Sequence, residues 1–199
     1  MTTHTITTNP PAVGTRTALR WIPTFLGYPL GGLAAELVTG RVDGPIAALL
    51  GGAITGAVLG TTQWLGLRRA GIPPRWIGAT ALGLACGLGA GAAWVGYRTS
   101  LGALAAQGAV SGAVVGAAQA LILRRHLGRL ATGWPALLAA VWASGWTITT
   151  AVGVDVDAQY TVFGSTGALA ATVATAILPL ALARAGRRGA GVSHRMGLM

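Results

Sequence analysis

The sequence predicts an all-α fold: a polytopic membrane helical bundle of six spans, built as three tandem helical hairpins in parallel repeat. Three observations carry this reading. The composition is 53% hydrophobic and only 9% charged, where an ordinary soluble domain is roughly 25% charged. Six stretches are apolar over about 20 residues, the length that crosses a ~30 Å hydrocarbon core. One 18-residue pattern also occurs twice, at 52–69 and again at 108–125.

The elements follow in order. Positions 1–15 are polar, Thr-rich and hold Pro10-Pro11. They lack a basic start followed by a short apolar core, so they do not read as a cleaved secretion signal. A disordered cytoplasmic arm is expected there, with the first span as an uncleaved anchor. The membrane domain, 16–188, places spans at about 18–38, 46–67, 76–97, 101–123, 135–152 and 162–183. A flexible cytoplasmic tail, 189–199, is expected to follow. The second span has no charge, and its polar side chains are only Thr55, Thr61, Thr62 and Gln63. Helices apolar on every side read as spans rather than as soluble amphipathic helices. Pro23, Pro29 and Pro179 lack a backbone donor and are expected to bend their helices.

Charge gives the orientation. There are 14 cations, all arginine, against four acids, for a formal net charge of +10. Twelve arginines (16, 20, 68, 69, 75, 124, 125, 129, 184, 187, 188 and 195) fall on the side that holds both termini, and Arg41 and Arg98 on the other. The excess of Arg on one side places both termini in the cytoplasm. Glu36, Asp43, Asp155 and Asp157 all fall at or near the outer side. The arginines flank spans, where topology alone requires them, so nucleic acid is not an expected partner. The expected partner is the bilayer itself, including anionic headgroups at the cytoplasmic face. A second copy of the chain or a protein partner is compatible with this reading.

The repeat sets the architecture. Positions 52–69 read GAITGAVLGTTQWLGLRR and 108–125 read GAVSGAVVGAAQALILRR, with eleven of 18 positions identical at an offset of 56. Arg20-Trp21-Ile22 opens the first span and Arg75-Trp76-Ile77 the third, while Gly133-Trp134-Pro135 opens the fifth. This suggests hairpins at about 20–69, 75–125 and 133–188. The last is degenerate and lacks the Gln-x-Leu-x-Leu-Arg-Arg ending. Two spans per unit keep successive units the same way up, so the repeats are parallel.

The Gly-rich helix ending Gln63-Trp64-Leu65-x-Leu67-Arg68-Arg69, followed by a Trp-initiated helix, resembles repeats in uncharacterised bacterial multi-span membrane proteins. The likeness covers the second to fifth spans well and the first and sixth loosely, and the second copy has Ala120 where the first has Trp64. It implies a bacterial plasma membrane location and no particular activity.

In lipid, helices associate through small residues that let backbones approach, and through side-chain hydrogen bonds. Gly52, Gly56 and Gly60 form one stripe at a spacing of four. Gly108, Gly112 and Gly116 repeat it, and Gly83, Gly87 and Gly91 form another in the third span. Gln63 and Gln119 lie three residues beyond Gly60 and Gly116, on the same face, and so point into helix seams. They read either as structural glue or as lining for a central polar site. Trp142 and Trp146 share a mid-span face and could wall a cavity or simply fill space. Glu36 is the one acid that falls within a span, where ionisable groups mark function, although an interfacial pair with Arg41 or Arg98 is the simpler reading. Trp21, Trp76 and Trp134 begin spans at the cytoplasmic interface, Trp64 lies near a cytoplasmic end and Trp94 near the outer end, and together they resemble interfacial aromatic belts.

No catalytic constellation emerges. Cys86 has no histidine near it in sequence, and no Cys-x-x-Cys or His-x-x-x-His spacing suggests a metal. The glycine runs lack the ending of a phosphate loop. Neither an enzyme nor a cofactor is expected. Two readings remain: a small-solute transport or channel protein, and a non-catalytic membrane scaffold, accessory subunit or lipid-binding protein.

Overall fold

A computed structural model of the chain describes residue 17 and residues 19–196, with side chains as far as residue 186. The arm expected at 1–15 lies outside the described residues. The described chain is helical throughout its regular structure and contains no strand.

The first expected span is not one long α-helix. A 3-10 segment, Ile22–Leu26, runs into α1, Gly27–Thr39, of 13 residues. The prolines account for this. Pro29 offers no N–H to the Phe25 carbonyl, and Pro23 none to that of Leu19, so the turn around them tightens to i→i+3 bonding. The Gly27 N–H accordingly reaches the carbonyls of Phe25 and Thr24. Then follow α2, Pro45–Leu67; α3, Arg75–Trp94; α4, Leu101–Leu127; and α5, Trp134–Ala151. The last expected span is broken into α6, Ser165–Thr175, and α7, Ile177–Met196. The break lies where Pro179 leaves the Thr175 carbonyl without its partner. Helical backbone thus extends through most of the segment expected as a tail.

Among the described residues four helical stretches are long and apolar enough to cross a membrane: Pro45–Ala70, Arg75–Trp94, Leu101–Ala151 and Ser165–Gly186. The 51 residues of Leu101–Ala151 fold back on themselves. A 3-10 turn, Gly128–Gly133, separates α4 from α5, and Gly128 has φ +56°. A side chain is strained at that angle. The two arms then pack antiparallel, Gly108 against Trp142 and Trp146, Gly112 against Leu138, and Gly116 against Pro135.

Each helix from α1 to α6 packs on the next, and α6 returns to the 3-10 segment and to α1, closing a ring. The glycine stripes are the seams. A Cβ on Gly56 would lie 2.7 Å from the Ala81 Cα and the Thr80 carbonyl oxygen, so α2 and α3 touch through backbone. Gly83 and Gly87 meet Val115 and Ser111 of α4 in the same manner.

The outside is as apolar as the inside. Leu37 is 78% exposed, Ile46 72% and Leu82 69%. Meanwhile Thr55, Thr80, Gln63, Gln107, Ser111 and Gln119 are buried. A water-soluble fold would invert this distribution. In lipid it is natural, because hydrocarbon takes the large apolar side chains and the seams take the small and polar ones.

A candidate functional site at the bundle core

The site grows from Gln63 of α2 and Gln119 of α4. Gly60 and Gly116 bring the following helix close enough for each amide to reach it. The Trp76 indole N–H, at the start of α3, donates to Gln63 Oε1 at 3.1 Å. The Trp134 indole N–H, at the start of α5, donates to Gln119 Oε1 at 2.8 Å. Gln119 Nε2 donates to Thr80 Oγ1 at 2.9 Å and to Gln63 Oε1 at 3.3 Å. Thr80 donates in turn to the Trp76 carbonyl at 2.9 Å. Thus the two glutamines named from sequence touch each other, and one network spans α2, α3, α4 and α5.

A further indole bond lies at the closing seam. The Trp21 indole N–H donates to the Thr172 carbonyl at 3.0 Å and to Thr175 Oγ1 at 3.2 Å. Gln63 and Gln119 are 56 positions apart, and Thr175 lies another 56 on (175 − 119 = 56). Trp21, Trp76 and Trp134 are therefore buried donors inside the bundle and not the interfacial belt expected of them. A buried indole N–H needs an acceptor, and the glutamine and threonine positions supply it. Trp94 is 71% exposed and does resemble a belt residue.

Trp142 and Trp146 stand elsewhere in the core. They pack edge-on to Phe163, at ring centroid distances of 5.6 and 6.1 Å, and Tyr28 lies 5.2 Å from the same ring. These aromatics fill space between α1, α5 and the entry to α6. The Trp142 Nε1 is buried beside the Tyr28 side chain without a well-formed hydrogen bond, and the Ser111 and Thr172 hydroxyls are buried with no partner.

Glu36 is half-buried near the C-terminal end of α1, and its Oε2 has no partner. The pairing expected for it is not made. Arg41 instead donates to the Asp157 carbonyl at 2.7 Å and to Gln159 Oε1 at 3.3 Å, and Arg98 donates to the Val95 carbonyl. Gln159 Nε2 reaches the Tyr97 carbonyl, and Thr99 donates to Asp157. These bonds tie together the loops that follow α1, α3 and α5. Asp155 is occupied by the Asp157 N–H. Among the described residues no group of three His, Cys, Asp or Glu is placed to hold a metal. Cys86 is exposed on the outside of the bundle.

Sequence reasoning passed over Thr80, Tyr28 and Phe163. Thr80 sits four residues after Trp76 and bonds back to it, which is a weak signal in a threonine-containing span. Tyr28 and Phe163 are far apart in the chain and had no pattern to join them. No known protein family matches the chain, and neither a curated protein nor a solved structure matches it.

Proposed function

We propose that the chain is a six-crossing bundle of three parallel helical hairpins in a bacterial plasma membrane, with both termini in the cytoplasm. Two features of the helix arrangement support six crossings: the fold-back inside Leu101–Ala151 and the helical path from Ile22 to Thr39. The three indole bonds at matching positions support the threefold repeat. Single cysteines in the turns near residues 71 and 130, and in the loops near residues 43 and 155, test the topology. An impermeant thiol reagent should label the second pair from outside intact cells and the first pair only in inverted vesicles. Any other pattern refutes six crossings with cytoplasmic ends.

Within that frame the chain is a non-catalytic membrane scaffold rather than a solute path. The observation that carries this is the occupied core. Both polar atoms of the Gln119 amide are engaged, Thr80 and Gln119 are almost wholly buried, and the aromatic cluster fills another part of the core. Such a network stabilises helix association and would have to break for a solute to pass. Reconstituted liposomes test this. They should show no more entry of small neutral solutes than protein-free liposomes, and protein-dependent swelling would overturn the reading.

A transport reading draws on one specific observation. Ser111 Oγ lies unpaired in the core, and Gln107, one turn away, borders a small void beneath the outer loops. Unpaired buried polar atoms are places where water enters. Labelling of Ser111→Cys by a polar thiol reagent in folded protein would favour that reading over the scaffold.

A further inference from the structure

We infer that the arginine-rich end of the bundle carries a binding site for one anionic phospholipid, whose phosphate is held by Arg20, Arg68 and Arg69. The three arginines border a groove of about 340 Å³ between the start of the first helix and the end of α2, together with Thr24 and Thr62. On the other side of Gly66 a second groove of about 360 Å³ is again bordered by Arg20 and Arg69, and by Pro179 and Leu182 of α7. Arg20 and Arg69 thus stand between two adjoining clefts. Among the described residues no ion pair or hydrogen bond engages the three guanidinium groups. The four acids all lie near the opposite ends of the helices.

Gly66 borders both grooves. A Cβ there would lie 3.2 Å from Thr24 Cγ2 and 3.4 Å from the Trp21 ring, so α2 comes close to the first helix and leaves space beside the contact. In the second copy of the 18-residue pattern the same position is Ile122 (122 − 66 = 56), which is buried. Both copies end in Arg-Arg, but the second carries a buried isoleucine where the first carries Gly66.

The chemistry of the cleft selects its occupant. Guanidinium groups bind phosphate oxygens in a fixed fork, and a hydroxyl adds a further bond. Below the arginines the lining turns apolar, with Pro23 and the half-exposed Leu65, and Leu26 lies exposed one turn deeper. A phosphate joined to acyl chains matches both parts, whereas a free phosphate matches only the upper one. This inference rests on membrane residence and not on whether the core conducts.

Native mass spectrometry of the detergent-purified chain, offered equal phosphatidylglycerol and phosphatidylcholine of the same acyl length, tests it. One phosphatidylglycerol should be retained in preference. The variant R20Q/R69Q should lower that retention at least tenfold, since each arginine near an anionic lipid is worth roughly fivefold. R68Q alone should lower it by a smaller factor. R124Q/R125Q, with the same charge loss at the second copy, where Ile122 replaces Gly66, should stay within twofold of the unmodified chain. Equal losses in the two double variants would mean diffuse attraction and overturn the site. So would the absence of any lipid preference. Displacement of the bound lipid by millimolar inorganic phosphate would assign the cleft to a soluble anion and overturn the lipid assignment.

Discussion

Replacing Gln119 by leucine probes the hydrogen-bonded core most sharply. The substitution keeps the approximate volume and removes three bonds: two donated to Gln63 and Thr80 and one accepted from Trp134. Side-chain hydrogen bonds in membrane proteins average about 0.6 kcal/mol and reach about 1.7. Three of them give a loss of about 2 kcal/mol, with about 5 kcal/mol as the ceiling. The Trp134 indole N–H is then left buried and unpaired, which places the loss above the average rather than below it. Gln63→Leu removes two bonds, from Trp76 and Gln119, and should cost about 1 kcal/mol. The double variant should cost less than the sum by about 0.6 kcal/mol, because the Gln63–Gln119 bond is lost only once. Titration from a mild detergent into SDS, followed by far-UV circular dichroism, measures all three losses. If Gln119→Leu is as stable as the original chain and the two substitutions add without coupling, the network does not hold the bundle together.

The seams give a second prediction. Gly112→Leu should abolish folding in mild detergent, because a Cβ there already collides with the Leu138 carbonyl, while Gly78→Leu, at a site with open space beside it, should fold with unchanged stability in the same titration. Phe163→Ala should cost about 3 kcal/mol, since the ring touches Tyr28, Trp142 and Trp146 and its loss leaves a cavity. The same titration, read through tryptophan fluorescence, would show this as a lowered midpoint and an altered Trp142 and Trp146 environment.

Much of the architecture was legible because lipid imposes simple rules. Hydropathy marked α2 to α5 to within a few residues, and glycines four apart marked faces that touch. Gln63 and Gln119 were found because a rare amide three residues past a glycine must enter a seam. What the sequence concealed has equally physical causes. Proline acts on the residue four earlier, so Pro29 converts Ile22–Leu26 to a tighter helix and Pro179 breaks the chain at Ala176, details that hydropathy ignores. Trp21, Trp76 and Trp134 look interfacial because they begin spans. Their burial depends on which neighbour offers an acceptor, and that is a tertiary fact. Glu36 and Arg41 are close in sequence, but Arg41 is drawn to the loop carrying Asp157 and Gln159, over 100 residues on. No local pattern contains that pairing.

The most direct test of the sealed core is the accessibility of position 80. Thr80 lies at the centre of the glutamine network and is fully buried, and cysteine there keeps nearly the same size. In a background with Cys86 replaced by alanine, Thr80→Cys should resist a polar, membrane-impermeant thiol reagent in the folded protein and react fully once SDS unfolds it. Rapid labelling of the folded protein would contradict a closed core and reveal a water-filled passage through the bundle.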